Sequence, residues 1–487
     1  MNTPLRRVGL AMMVMVLLLL ANATYVQVIK ADDYRKNPLN SRVLLDEYSR
    51  ERGQLIAADG TPIAGVTKTD DKLEYLRTYT NGPMYAPITG YYSTRYGPAG
   101  LERAENDLLN GSDDRLFTRR LASLITGRDP KGGNLQLSVD PRAQQAAWDG
   151  LQGLTGSAVA LDPSTGAILA MVNSPAYDPS PLASHDVAEQ KAAYDQYNTD
   201  PGDPMLNRAI SSTQPPGSTF KLVVAAAALA EGKNKDTTYT GAPEITLPGT
   251  NTGLTNYNST TCGNGTTATM EQALEKSCNT YFAELAGDLG AEKLRAQAAK
   301  FGIDDTDTQI PLTVVGSTLG EMADDAAVYQ SGLGQRDVAL TPMHNAVVAA
   351  TIANGGVRMK PRLISKVLDP DLGVIDEIDP EEVTEAMEPE HAAELRDMMI
   401  KSENNTGGEG RLSGVQIASK TGTAEHGAEP QKVNPHAWYV AFAPADKPTI
   451  AVAVLVEDGG NRGLGATGGK VAAPIGRAII GAFLGGG

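Results

Sequence analysis

The chain has 487 residues, enough for about three ordinary domains or one large domain with a smaller companion, and for a core that needs no staples. Hydrophobic residues make up 41% and charged residues 21%, with 51 Gly and 29 Pro, which excludes a wholly disordered or collagen-like chain. The net charge is −16, so nucleic acid, which needs a basic surface, is excluded as the main ligand. Five His and two Cys, with neither H-E-x-x-H nor C-x-x-C, give no metal or other cofactor to expect.

Residues 8–29 carry no charge, and Arg6 and Arg7 precede them. A helix needs about 20 mostly apolar residues to cross a bilayer. Positive charge before the span places residues 1–7 in the cytoplasm and the rest outside the cell membrane, behind a single-pass anchor. A cleaved signal peptide is the rival reading, since Ala21, Asn22 and Ala23 fit a small-x-small cleavage site. The apolar stretch continuing through Tyr25 to Ile29 favours the anchor. Outside the cytosol Cys262 and Cys278 can pair, but two free thiols fit the sequence as well.

From residue 30 to 133 the chain is polar and rich in Tyr, Arg and Asp, with short apolar alternations. This reads as an elongated, strand-containing stalk without a strong core, ending near Gly132 and Gly133. From 134 to 487 the pattern is regular. Residues 135–139 alternate as a strand and end at Asp140-Pro141, a helix start for 142–151. Residues 157–161 and 167–172 read as a hairpin, and 180–205 as a polar loop. A buried helix follows from Ser218 to the stop at Gly232. Further helices are expected at 270–287, 291–301, 342–353 and 391–402. Strands are expected at 437–443 and 449–457, and a last helix at 472–483. Strands early and late with helices between give an α/β layer fold whose sheet joins both ends of the domain.

Within this frame, Ser218-Thr219-Phe220-Lys221 is an S-x-x-K. Positions i and i+3 share a helix face, so a serine hydroxyl and a lysine amine can meet. A serine nucleophile needs a base, and a lysine in a dry site beside other cations can lose its proton. A capping serine with a solvated lysine is the plainer reading, but Lys221 lies inside an apolar run. Ser277-Cys278-Asn279 is an S-x-N, and Lys420-Thr421-Gly422-Thr423 is a K-T-G-T in a stretch with strand character. Each is weak alone. Ser402-Glu403-Asn404 is also an S-x-N, expected on a surface loop.

The three in this order resemble the signature of the penicillin-binding proteins and serine β-lactamases. Further segments resemble the monofunctional class B penicillin-binding proteins, closest to the short actinobacterial penicillin-binding protein A type. They include Arg52-Gly53 with Asp59-Gly60, Leu161 to Gly166, Gln214 to Lys221, Gly332 to Gln335, Ala353 to Gly356, and Lys420 to Glu425. The resemblance runs from about residue 40 to the end.

It implies a transpeptidase fold: a central antiparallel sheet flanked by helices, with an N-terminal stalk and one transmembrane helix. It implies a D,D-transpeptidase acting on peptidoglycan stem peptides and inactivated by β-lactams. Ser218 would attack the penultimate D-Ala carbonyl and Lys221 would take its proton. Ser277 would relay a proton to the leaving D-Ala, with Asn279 ordering Lys221 and the substrate amide. Lys420 would supply positive potential for the substrate carboxylate, Thr421 and Thr423 would bond it, and Gly422 belongs to the same binding motif. Backbone N–H groups of Ser218 and Thr423 would form the oxyanion hole. A SEDS-type glycosyltransferase is the partner the resemblance suggests. Cys278 replaces the aspartate of S-D-N, and no convincing deacylating Glu motif separates Ser277 from Lys420, which disfavours a β-lactamase. The same motifs also fit a D,D-carboxypeptidase, or an inactive penicillin-binding scaffold or sensor.

Trp438 and Tyr439 are expected in a core strand, His426 in a solvated loop, and residues 446–448 in a hairpin turn. Residues 402–410 read as a flexible surface loop. The acidic runs at 305–307 and 381–382 read as solvated faces.

Overall fold

The structure, a computed structural model, describes residues 2–31, 34, 45, 47–117, 131–305, 310–427 and 432–485. Helix α1 (Asn2–Thr24) runs into a π-helical turn at Tyr25–Ile29, and the stretch is exposed from Pro4 to Ile29. Its length and apolar character suffice to cross a bilayer. The charges at 32, 33, 35 and 36 lie outside the described residues.

Three short strands follow: β1 (Leu55–Ile56), β2 (Pro62–Lys68) and β3 (Tyr75–Tyr79). After β4 (Asn134–Leu137) comes α2 (Pro141–Leu151), where Asp140 accepts from Arg142 N at 2.8 Å and Pro141 fills the first helical position. A hairpin of β5 (Gly156–Leu161) and β6 (Ile168–Ser174) precedes α3 (Lys221–Ala230). Next are α4 (Met270–Lys276), α5 (Asn279–Lys300), α6 (Pro342–Ala353), β7 (Ile364–Leu368) and β8 (Val374–Glu377). The chain closes with α7 (Pro389–Asn405), β9 (Ala418–Ala424), β10 (His436–Ala443), β11 (Ile450–Val456) and α8 (Gly468–Leu484).

The central sheet has the order β9-β10-β11-β5-β6, all antiparallel, so strands from both ends of the domain meet in it. Both faces are covered. Val440 and Phe442 of β10 face one core, with Ala451 and Ala453 of β11. Tyr439 and Ala441 face the other, with Val452 and Val454. Helices α2 and α8 pack together over the second face and α6 over the first. Strand β9 stands at the sheet edge.

A second, mixed sheet has the order β8-β7-β4-β1-β2-β3. Leu55, Ile63, Met84, Ile88, Leu101 and Leu109 are buried in the same core as α3 and α5, so the described part of residues 30–133 has the strong core that its polar composition hides. Composition misleads here because the layer shares its core with the rest of the chain. Glu102, fully buried, accepts from Arg52 Nε at 2.7 Å and Arg77 Nε at 2.6 Å. Burial works to raise its carboxyl pKa, but the Arg77 and Arg52 charges outweigh this and hold it below the usual range.

Two further expectations are corrected. The segment 180–205 contains a helix, Val187–Thr199, capped by Asp186. Only Gln190 and Ala193 of it are buried, so it has no apolar stripe to betray it. The helix expected over 270–287 is two helices that break at Ser277 and Cys278.

Glu102→Ala leaves two buried guanidinium groups without their anion. Its expected cost is about 3–5 kcal/mol, read as a lowered urea midpoint in far-ultraviolet circular dichroism, with Glu102→Gln losing less.

Candidate active site

Residues 217–219 form a 3-10 turn just before α3. Gly217 has φ 53°, and a Cβ there would lie 2.9 Å from Thr423 O, so only glycine lets this turn approach β9. Gly217 N donates to Gly334 O at 2.9 Å, Trp438 Nε1 to Pro215 O at 2.8 Å, and Asn345 Nδ2 to Thr219 Oγ1 at 3.0 Å. These bonds fix Ser218, half-buried, at the wall of a cleft of about 670 Å³. Asn279, Lys420, Thr421 and Thr423 line the same cleft.

Lys221 is fully buried. Its Nζ donates to Ser277 O at 2.8 Å, Asn279 Oδ1 at 2.8 Å and Ser277 Oγ at 3.4 Å. Among the described residues no hydrogen bond joins it to Ser218, so the direct meeting expected from the i, i+3 spacing is replaced by bonds to the S-x-N turn. Lys420, 1% exposed, donates to the same Ser277 Oγ at 2.8 Å and to Thr421 O at 2.9 Å. Ser277 thus stands between two amines. Burial, and then the Lys420 charge, push the Lys221 amine well below its ordinary pKa. Burial lowers Lys420 to about 7.

Ser277 has φ 59°, ψ 43°, a left-handed conformation that costs a non-glycine residue free energy. Cys278 beside it is bonded to Cys262, so of the two open readings of the cysteines the disulfide is the one found. In β9, a Cβ on Gly422 would lie 2.7 Å from Pro216 O and 3.0 Å from Trp438 Cβ, which explains the glycine between the two threonines. Trp438 and Tyr439 are fully buried, as a core strand requires. The eight residues singled out in the three motifs lie on β9, at the turn that opens α3, and at the break between α4 and α5.

A family model for the penicillin-binding protein transpeptidase domain matches residues 156–481, and one for the penicillin-binding protein A dimerisation domain matches 52–135. The chain belongs to the penicillin-binding protein transpeptidase family. It is 54% identical to peptidoglycan D,D-transpeptidase PbpA of Mycolicibacterium smegmatis over 99% of each chain. The Mycobacterium tuberculosis protein of that name is 51% identical, again over 99% of each. Among solved structures, the ceftriaxone acyl-enzyme of M. tuberculosis penicillin-binding protein A is similar at 50% identity and TM-score 0.88, covering 90% of this chain and 99% of that one. Its penicillin G acyl-enzyme matches with TM-score 0.85 at 50% identity, over 89% of this chain and 100% of that one.

The surface-loop reading of residues 402–410 in this penicillin-binding protein is corrected for 402–405 and holds for 406–410, which lie beyond the helix and are mostly exposed. Helix α7 extends to Asn405, and Glu403 is 6% exposed. Its Oε1 accepts from Arg477 Nε at 2.8 Å, and its Oε2 from Tyr439 OH at 3.0 Å and from the Ser419 hydroxyl. Arg477 Nη1 donates to Gly407 O and Glu409 O. This buried pair ties α7, β9, β10 and α8 together behind Lys420 and holds the turn whose Thr406 and Gly407 line the cleft. The sequence hid it because Glu403 and Arg477 are 74 residues apart. His426 also departs from its expected solvated loop. It is half-buried, stacks on His436 with ring centroids 3.8 Å apart and planes within 3°, and sits 3.0 Å from Asp458 Oδ1. One ring nitrogen of each histidine and an Asp458 carboxylate oxygen lie within 4.8 Å of one another, while His426 Nε2 also meets Asn434 O at 2.9 Å and His436 Nδ1 accepts from Asp458 N at 3.1 Å. Asp305 faces Arg358 at 3.5 Å and Glu381 pairs with Lys360 at 2.8 Å, while residue 307 lies outside the described residues.

The two amines are coupled by their charges. In 13C-lysine-labelled protein, Lys420 is expected to titrate near pH 7 and Lys221 far below the ordinary lysine value. Lys420→Met removes a repelling charge, so the Lys221 titration moves to higher pH. An unmoved titration contradicts the coupling.

Proposed function

We propose that this chain is a membrane-anchored peptidoglycan D,D-transpeptidase working through an acyl-enzyme at Ser218 and inactivated there by β-lactams. The observation that carries this reading is the buried Lys221 amine, its pKa held low, bonded to Ser277 and Asn279 on the wall of the cleft that Ser218 lines. The names and acyl-enzyme structures of the half-identical relatives support it.

The roles are those the family resemblance implies, and the bonds from Lys221 to Ser277 and Asn279 and from Lys420 to Ser277 support them. Ser218 Oγ attacks the penultimate D-Ala carbonyl as its proton passes to the neutral Lys221 amine. The developing oxyanion is bonded by the backbone N–H groups of Ser218 and Thr423. Collapse of the tetrahedral intermediate breaks the peptide bond, and the leaving D-Ala amine takes a proton through Ser277, which both lysines contact. Asn279 holds Lys221 and the substrate amide. Protonated Lys420, with Thr421 and Thr423, binds the donor carboxylate, and Gly422 keeps β9 close to the nucleophile turn. An acceptor stem-peptide amine then attacks the acyl-enzyme, forming the cross-link and freeing Ser218.

The same reading divides the chain into a cytoplasmic tail (1–7), a transmembrane anchor (8–29), a stalk (30–133) and a transpeptidase domain (134–487) on the outer side of the cell membrane. The span from Pro4 to Ile29 supports the anchor, and Arg6 and Arg7 support its direction. A SEDS-type glycosyltransferase is the proposed membrane partner, on family resemblance alone.

The test is a donor stem pentapeptide offered with an acceptor amine. Release of D-Ala together with a cross-linked product is expected, and both vanish in Ser218→Ala. Release without cross-linking makes the protein a carboxypeptidase; a cross-linking Ser218→Ala contradicts the reading. The pH dependence has a stated sign. As pH rises through about 7, Lys420 loses its charge and the donor KM rises. In Lys420→Arg, which stays charged, that alkaline rise is expected to disappear.

A further inference from the structure

The first N–H groups of a helix have no partner within it. At the start of α5 the local residue gives none, because Cys278 makes no side-chain cap and its sulfur is bonded to Cys262. The cap comes from another segment. Asn256 Oδ1, 23 residues upstream, accepts from Asn279 N at 2.7 Å and Thr280 N at 3.0 Å. Its Nδ2 donates to Thr260 O at 2.9 Å, Ala242 O at 3.1 Å and Thr280 Oγ1 at 3.2 Å. Asn256 is 4% exposed, and its amide is saturated by the protein on both sides.

The neighbouring residue acts on the same target. Thr255 O accepts from Asn279 Nδ2 at 2.9 Å. Two consecutive residues therefore hold Asn279 by its backbone and by its side chain, leaving its Oδ1 to meet Lys221 Nζ at 2.8 Å. The turn between them needs such restraint. Ser277 is left-handed at φ 59°, and a residue in that region stays there only where its surroundings over-determine it.

We propose that Asn256 is a positioning residue for acyl transfer: by capping α5 from a distance, it holds the Ser277-Cys278-Asn279 turn where Lys221 and Lys420 meet it. This rests on the transpeptidase reading. Asn256 acts through Asn279 and Ser277, so its loss falls on the acylation step and leaves drug binding nearly intact.

The experiment is time-resolved intact mass of the full chain with benzylpenicillin, over a range of drug concentrations that separates the binding constant from the acylation rate constant, at pH 5–9. Wild type, Asn256→Ala and Asn256→Asp are compared. Asn256→Ala is expected to lose about 100-fold in the acylation constant, with the binding constant moving less than about 3-fold. Asn256→Asp keeps the oxygen that caps α5 but loses the donations to Thr260 O and Ala242 O, so its acylation constant is expected between those of Asn256→Ala and wild type. Its added negative charge favours the Lys221 ammonium and moves the acid limb of the rate profile to higher pH.

A folded Asn256→Ala that acylates like wild type overturns the inference, as does a loss residing in the binding constant. If Asn256→Ala does not fold, Asn256→Asp carries the test, and an unmoved acid limb in it overturns the inference. A wild-type chain that takes no drug overturns the transpeptidase reading and this inference with it. A reactive wild type beside an indifferent Asn256→Ala overturns this inference alone.

Discussion

A lysine amine kept out of water beside a second lysine is the constraint on which the rest of the site depends. An ammonium cannot act as a base, and lysine in water is an ammonium at neutral pH. Lys221 escapes this because it is fully buried and because the Lys420 charge repels a proton from it. The arrangement opposes folding. Both lysines have folded-state pKa values below their unfolded value, so around neutrality the unfolded chain binds more protons than the folded one. Their contribution to stability therefore improves as pH rises toward the unfolded lysine value near 10.5. The surrounding sheet and helices supply what offsets it.

The fold explains how two amines and one hydroxyl can be held so close. Lys221 begins α3, a helix buried on every side; Ser277 and Asn279 come from the break between α4 and α5; Lys420 comes from the edge strand β9. Three separate elements converge because glycines at 217 and 422 remove the side chains that would keep the Ser218 turn away from β9. Behind that strand, Glu403 and Arg477 tie four elements together without touching the cleft chemistry. The disulfide joins Cys278 of the S-x-N turn to Cys262, and Asn256 caps the helix that follows the turn.

Much of this is legible in the sequence, for reasons that can be named. The central strands read clearly because β10 and β11 alternate between two cores, and α2 announces itself through Asp140-Pro141. The motif residues are local words, so Ser218, Ser277 and Lys420 stand out by order and spacing. What stays hidden is non-local or lacks a pattern. Val187–Thr199 has no apolar stripe; Glu403 reads as surface because its guanidinium partner is far along the chain. Asn256 sits in a threonine- and asparagine-rich stretch that looks like loop, and only the folded chain shows its amide capping a helix 23 residues away. The N-terminal layer looks weak because its core is completed by strands and helices from the other end of the sequence.

The most direct test of a buried lysine base serving Ser218 is the intact mass of the chain after benzylpenicillin, followed by peptide mapping. The account predicts one whole drug per chain, carried stably on the peptide containing Ser218. No adduct, an adduct on another residue, or hydrolysed drug beside unmodified protein would contradict it.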